Sequence, residues 1–436
     1  MKKWQCIMSI GILTTSMAAC SSEGSKELTN TEKPVINEGK KVVTLAMQVW
    51  PTAMQESNAF FKTVEKKFEE KNPDIDLQIQ ISEDYEKYKK TMNTALLSGK
   101  GPDIFEISSL PIDDYVSKKL LLNLDETMMK DKSLNTNDLQ TNILDVLKQN
   151  GGLYAMPLGF SLRAFIGDGD ILKNTNVDDK KWTWKEFEKI SKKLGESGKE
   201  RRYALANDPP ELLLQELVVD KYAEFVDHST KKAKFDSPFF VGMMQQIKKM
   251  YDDKVMTSEP ADIGKQMFYS ALLQSPADLI NGQHQFFSNP KLLQKPEQAG
   301  GARIITDSQF AIQAKSSVKE EAWKVIAFLL SEEGQSLQGR QGFSLLKSVN
   351  EKQLNDIQNQ VKSGKYKLPD GKAPKVSDEE FTQFKQFIST ANNYSNADGK
   401  VISIIGDESR SFFSEQKSAE EVAKLIQNKA TTFLNE

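Results

Sequence analysis

The sequence predicts an α/β protein divided into two lobes. Two observations carry this. Residues 42–107 alternate strand-like and helix-like segments, the pattern of a parallel sheet with crossover helices. The chain has 436 residues, of which about 395 follow a polar N-terminal stretch, more than one hydrophobic core usually serves.

The elements follow in order. Val42 to Met47 is short, β-branched and nearly continuous in apolar residues, which predicts a buried strand. It stops before Pro51, which has no ladder donor. Phe60, Phe61, Val64 and Phe68 stand at helical spacing, and Asn72-Pro73-Asp74 ends that helix. Ile75, Leu77, Ile79 and Ile81 alternate with polar residues as a second strand. Tyr85 to Ser98 returns to the helical period, and Asp103 to Ile107 is a third strand. Further on, Arg163 to Ile166 reads as a strand. Thr183 and Glu186 form a capping box ahead of Phe187, Ile190 and Leu194. Helices are expected over 211–225, 239–251 and 319–331, and strands at Ile304-Ile305 and Phe310 to Ile312. Met267-Phe268 lies in an apolar run whose period does not decide between helix and strand. The tail is mostly helical and ends in Ala419 to Leu434.

The N-terminus carries a targeting signal. Lys2 and Lys3 precede an apolar run from Ile7 to Leu13, too short to span a bilayer as a mature helix. Met17-Ala18-Ala19 leads directly into Cys20, an order that resembles the bacterial lipobox. Residues 1–19 are therefore expected to be a lipoprotein signal peptide, with Cys20 the lipidated residue. Two or more acyl chains anchor stably where one does not. Residues 20–40 are polar, from Ser21-Ser22-Glu23-Gly24 onward, and are expected to form a flexible tether. The two cysteines, Cys6 and Cys20, are both consumed by this reading, so the mature body has no disulfide.

Composition and motifs exclude several classes. The chain has 58 basic and 61 acidic residues, net −3, with signs interspersed. That is no nucleic-acid footprint. His228 and His284 are the two histidines, far apart and without thiol partners, so no metal site is expected and a nucleophile–His–acid triad would depend on one lone histidine. Each reads as a surface residue. Asp168-Gly169-Asp170 begins like a calcium loop, but Ile171-Leu172-Lys173 breaks the ligand pattern. No phosphate-cradling glycine loop is present, and no cofactor is expected. With 61 acidic residues a glycoside-hydrolase carboxylate pair is an open alternative, though no pair stands in a suggestive context.

Several segments resemble extracellular solute-binding proteins of ABC importers, in particular the group like maltose-binding protein. These are Phe68-Glu69-Glu70-Lys71-Asn72-Pro73-Asp74-Ile75, Tyr85-Glu86-Lys87-Tyr88 with Ala95 to Phe105, Gly152-Leu153-Tyr154-Ala155-Met156-Pro157, Trp182 to Phe187, Phe310-Ala311-Ile312, Lys319 to Trp323, and Ser331 to Gln335. They occur in the family's order over most of the chain. The resemblance implies a periplasmic-binding-protein-like fold, two lobes with a hinge between them. Lobe 1 would comprise 41–110 and 302–346, and lobe 2 would comprise 111–301 and 347–436. It implies a monomer that closes on a carbohydrate and delivers it to the transmembrane subunits of an ABC permease, anchored to the membrane by lipid. Two segments depart from the family, one of them Thr306-Asp307-Ser308-Gln309, which stands in place of a Gly-rich start before Phe310. In the other, Met267-Phe268 is followed by Tyr269-Ser270-Ala271-Leu272-Leu273, without the usual glycines. The same fold holding a non-sugar solute, and a surface lipoprotein working through protein contacts, are the other readings.

In open α/β sheets ligands bind beyond the carboxyl ends of the strands. That rule selects Trp50 after the first strand, Glu83 and Tyr85 after the second, and Glu106 and Ser108 after the third. Across the cleft it selects Phe160, Arg163 and Asp208. A sugar stacks its C–H faces on aromatic rings and pairs its hydroxyls with donors and acceptors. Trp50 and Tyr85 supply rings; Glu106, Arg163 and Asp208 supply charged partners. Trp182, Trp184 and Trp323 are expected to pack in the interior.

Overall fold

The computed structural model describes residues 34–108, 110–196, 201–298, 300–306 and 308–435. The expected signal peptide, Cys20 and the first part of the expected tether lie outside them. The last part of the expected tether is ordered. β1 (Ile36–Asn37) pairs antiparallel with the start of β2 (Lys40–Gln48). Glu38 and Gly39 close this two-residue hairpin with φ of 48° and 83°, both in the left-handed region that such turns require.

β2 is the centre of the first sheet. Val42, Val43, Leu45, Ala46 and Met47 are buried along it. It runs parallel to β3 (Ile75–Ser82) and to β4 (Ile104–Glu106), as the alternation of strands and helices predicts. The helix Met54–Lys71 buries Phe60, Phe61, Val64 and Phe68, and Asn72 caps its end through Nδ2 on the Phe68 carbonyl at 2.9 Å. Asp84 starts the helix Tyr85–Leu97 by accepting from the Lys87 amide at 2.9 Å.

The second sheet is built on β6 (Phe160–Asp168), which the chain enters from β5 (Met156–Pro157) of the first sheet. A small separate hairpin joins β7 (Val226–Asp227) to β8 (Lys232–Ala233). β9 (Phe268–Leu273), β10 (Pro290–Leu293) and β11 (Arg303–Thr306) all pair antiparallel with β6. The undecided run after Met267 is thus a strand. Its pairing with β6 overrides an ambiguous local pattern. The chain then returns to the first sheet as β12 (Gln309–Ile312), which lies between β4 and β5.

The backbone passes between the two cores and their sheets three times. It crosses between Pro157 and Phe160, between Thr306 and Gln309, and again at 391–398. Ala391 packs in the first core and Ala397 against the second, while Asn393 bridges Arg303 between them. Phe160 and Phe343 exchange backbone hydrogen bonds beside the first crossing. Gly342 there has φ of 77°, and a Cβ on it would stand 2.7 Å from the Phe160 carbonyl oxygen. Only glycine fits so close an approach.

Two main cores flank this junction. The second holds Phe165, Trp182, Trp184, Phe187 and Phe268 with the C-terminal helices Gly399–Phe413 and Ala419–Asn435. Thr183 and Glu186 make the expected capping box, the Thr183 amide donating to Glu186 at 2.8 Å and the Glu186 amide to Thr183 Oγ1 at 3.1 Å. The first core holds the first sheet with Trp323, whose Nε1 donates to Asp131 at 2.8 Å. It also takes in Leu124 to Leu158 and Val349 to Ala391, segments the resemblance assigns to lobe 2. β6 itself is shared between the two cores. Leu162 and Ala164 face the first core, while Phe165 faces the second.

Candidate ligand cleft

The carboxyl ends of the first sheet bring five of the expected residues, Trp50, Glu83, Tyr85, Glu106 and Ser108, to one edge. Trp50 follows β2 and is 68 % exposed, held at the start of the turn Pro51–Ala53. Glu83 is exposed after β3, and Tyr85 is half-buried in the next turn. Burial, with Asp398 and Glu86 nearby, pushes the Tyr85 hydroxyl above its ordinary pKa. Asp398 caps the helix after the third crossing, so the far side of the junction reaches this edge. Lys89 Nζ lies 5.9 Å from the Tyr85 ring and 5.7 Å from the Phe433 ring of the C-terminal helix. One cation thus stands between the edge of the first sheet and the C-terminal helix.

Glu106 ends β4 and is buried. Burial raises its carboxyl to about 7, although hydrogen bonds from Ser108 and Gln309 pull the other way. The Ser108 amide donates to Glu106 Oε1 at 2.8 Å, and Ser108 Oγ accepts from the Gln309 amide at 2.9 Å. Gln309 Nε2 donates to Tyr394 Oη at 3.0 Å, tying the second crossing to the third. Ser108, Gln309, Gln149, Tyr394 and Asn396 line one recess with Ile107, Ile112 and Leu147. Gln149 Oε1 is buried there without a hydrogen-bond partner.

Arg163 and Asp208 come together on the other side of the junction, within a charge cluster. Lys295 is almost fully buried and bonds Glu216 Oε2. Arg163 Nη1 stands 3.9 Å from Glu216 Oε1, and Arg303 pairs with Asp220 at 3.1 Å. Burial opposes ionisation of Glu216, but Lys295, Arg163 and Arg303 outweigh it and hold its carboxyl at about 2. Asp208 goes the other way. Burial and the neighbouring Glu216 raise it to about 6, against the pull of Lys295 and Arg163. Two exposed leucines, Leu212 and Leu272, flank this wall; Leu272 is the register partner of Arg163.

Phe160 does not belong to this wall. It is 0 % exposed and packs on Phe343 with ring centroids 5.4 Å apart, as part of the first crossing. The apolar ring is consumed by the junction it stabilises. His284 is also buried rather than on the surface, with Nε2 2.9 Å from Glu380 Oε1. Asp168 pairs with Arg202 at 2.9 Å. Among the described residues no cluster of His, Cys, Asp and Glu has the makings of a metal site. No described helix is long and apolar enough to cross a membrane.

The sequence did not point to Glu216, Lys295, Arg303, Gln309 or Tyr394. Glu216 and Arg303 sit in ordinary helix and strand positions. Tyr394 lies in Asn392-Asn393-Tyr394, a polar stretch between two helices, and this was its one available signal.

Two halves joined by three crossings, with polar groups on both sides of the junction, form a cleft-type architecture. The chain belongs to the bacterial extracellular solute-binding protein family, whose match spans residues 52–336. That family supplies the non-enzymatic, solute-capturing component of a transporter. A curated binding protein of Brucella abortus is 25 % identical over 296 residues, covering 63 % of this chain and 69 % of its own. The sugar-binding protein MalE of Xanthomonas citri has a similar fold, with a TM-score of 0.60 and 16 % identity over 91 % of this chain and 98 % of that one. An ABC substrate-binding protein of Listeria monocytogenes, solved with cycloalternan, gives 0.57 and 16 % over 91 % and 99 %.

Proposed function

We propose that this protein captures a carbohydrate, an oligosaccharide, in the cleft beside the three crossings and hands it to an ABC permease. The neutral side chains Ser108, Gln149, Gln309, Tyr394 and Asn396, gathered where the crossings meet around a recess of only about 10 Å³, support the reading as one polar wall of the cleft. These are neutral hydroxyl, amide and phenol groups, the partners that sugar hydroxyls need, with one aromatic ring among them. The sugar held by the Listeria relative supports the same class. The lobes close by rotation at the crossings, and the protein acts as a monomer held to the membrane by lipid on Cys20. A C20S variant then leaves the membrane fraction for the medium; retention in the membrane fraction counts against the anchor.

A melting screen of the purified protein against oligosaccharides tests the ligand class. A ligand present at 100 times its Kd stabilises the native state by about 2.7 kcal/mol. If no saccharide shifts the transition while another solute class does, the carbohydrate reading fails.

Trp50 is the exposed ring at the mouth. Replacing it with Ala is expected to weaken binding of the saccharide found in that screen by roughly ten- to a hundredfold, the worth of one good stacking contact. Titration calorimetry reads this directly, and unchanged affinity removes Trp50 from the site.

A further inference from the structure

We infer that Lys295 is a positioning residue: it occupies Glu216 so that the guanidinium of Arg163 stays free for the cleft. The inference rests on the cleft being the ligand site, but it does not depend on the ligand being a sugar.

The groups packed together are Arg163 on β6, Arg303 on β11, Lys295 beyond β10, Glu216 and Asp220 on the helix Pro210–Asp220, and Asp208 just before it. Arg163 and Arg303 are direct register partners on neighbouring strands, so their side chains share one face. Glu216 and Asp220 are four residues apart and meet that face from the helix. Two of the three carboxylates have a tight partner. Asp220 has Arg303, and Glu216 has Lys295.

Arg163 is left over. Its nearest carboxylate oxygen, Glu216 Oε1, is 3.9 Å away, beyond hydrogen-bond reach. Among the described residues its buried Nε has no hydrogen-bond partner. Its side chain keeps 30 % exposure, while that of Arg303 keeps 6 %. A guanidinium beside a free carboxylate forms a planar two-bond fork, which would consume the donors of Arg163. Lys295 prevents this. Its ammonium holds Oε2 and is itself fixed, 5.0 Å from the Phe165 ring centroid and 3.5 Å from Ser270 Oγ. A lysine suits the place because it is a compact point charge on a flexible stem, reaching Glu216 from within the second core.

The test uses phenylglyoxal, which modifies accessible, unpaired guanidinium groups, on the full chain, with each arginine followed by peptide mass spectrometry. In the unchanged protein Arg163 is expected to react at least tenfold faster than Arg303. Comparable rates would overturn the inference even if no variant folds. In Lys295→Met, Glu216 is released to pair with Arg163, and the Arg163 rate should fall about tenfold. In Lys295→Met combined with Glu216→Gln, the rate should return. An unchanged Arg163 rate in folded Lys295→Met also overturns it. The affinity for whichever solute stabilises the protein should fall in Lys295→Met and recover in Lys295→Arg. Absence of a sugar among those solutes would count against the carbohydrate reading and leave the reactivity result standing.

Discussion

Replacing Glu106 with Gln is expected to stabilise the protein at pH 8 by about 3 kcal/mol and to change little at pH 5. Burial raises the Glu106 carboxyl from 4.5 to about 7. Between those values the native state holds a proton that the unfolded chain has released. Stability therefore falls as pH rises through this window, and the deficit is complete above 7. Glutamine has no charge to desolvate, and its Oε1 can still accept from the Ser108 amide, 2.8 Å from the present oxygen. Urea denaturation of both proteins at the two pH values measures the difference. An equal gap at pH 5 and pH 8 would show that the carboxyl is not protonated in the native state. Keeping an acid in this place costs stability at neutral pH, which is consistent with a cleft role for Glu106 beyond packing.

Phe160→Ala is expected to destabilise the protein by about 3–5 kcal/mol, the range for truncating a buried phenylalanine. The ring has no exposure and packs on Phe343, and its backbone pairs with Phe343 at the first crossing. The loss should appear in the denaturation midpoint. Phe160→Leu should recover much of it, because most of the apolar volume returns. A normal midpoint with weakened ligand binding would instead place Phe160 in the cleft wall.

The parts of the fold that were legible are those specified by nearby residues. The alternation of Ile75, Leu77, Ile79 and Ile81 specifies β3, and Thr183 with Glu186 specifies a helix start, within a few positions each. β9 was not legible because its state is decided by pairing with β6, about a hundred residues earlier in the chain. The same distinction runs through the site. Trp50, Glu106 and Ser108 could be read because they follow recognisable strands. Of the charge cluster, Arg163 and Asp208 could be read, but their partners Glu216, Lys295 and Arg303 could not, since these meet Arg163 only after two strands and a helix have been assembled. Phe160 misled because a position beside a crossing looks the same in sequence whether its side chain turns to solvent or into the core. The extent of the tether was misjudged for a similar reason. Residues 36–40 are polar enough for a linker, and only the edge of β2 draws them into a hairpin.

The third crossing has a consequence for how the molecule is made. Beyond it, Val401, Ile405, Phe412, Val422, Ala423 and Ile426 supply a whole side of the second core. The helices they pack on, Pro210–Asp220 and Pro238–Asp252, were synthesised more than a hundred residues earlier. A chain emerging from its N-terminus can therefore assemble most of the first core while the second still lacks its last two helices. Until those helices arrive, the helices Pro210–Asp220 and Pro238–Asp252 have no complete cover. A product truncated near residue 398 should accordingly be half-finished: one core nearly complete, the other open to proteases and to sticking.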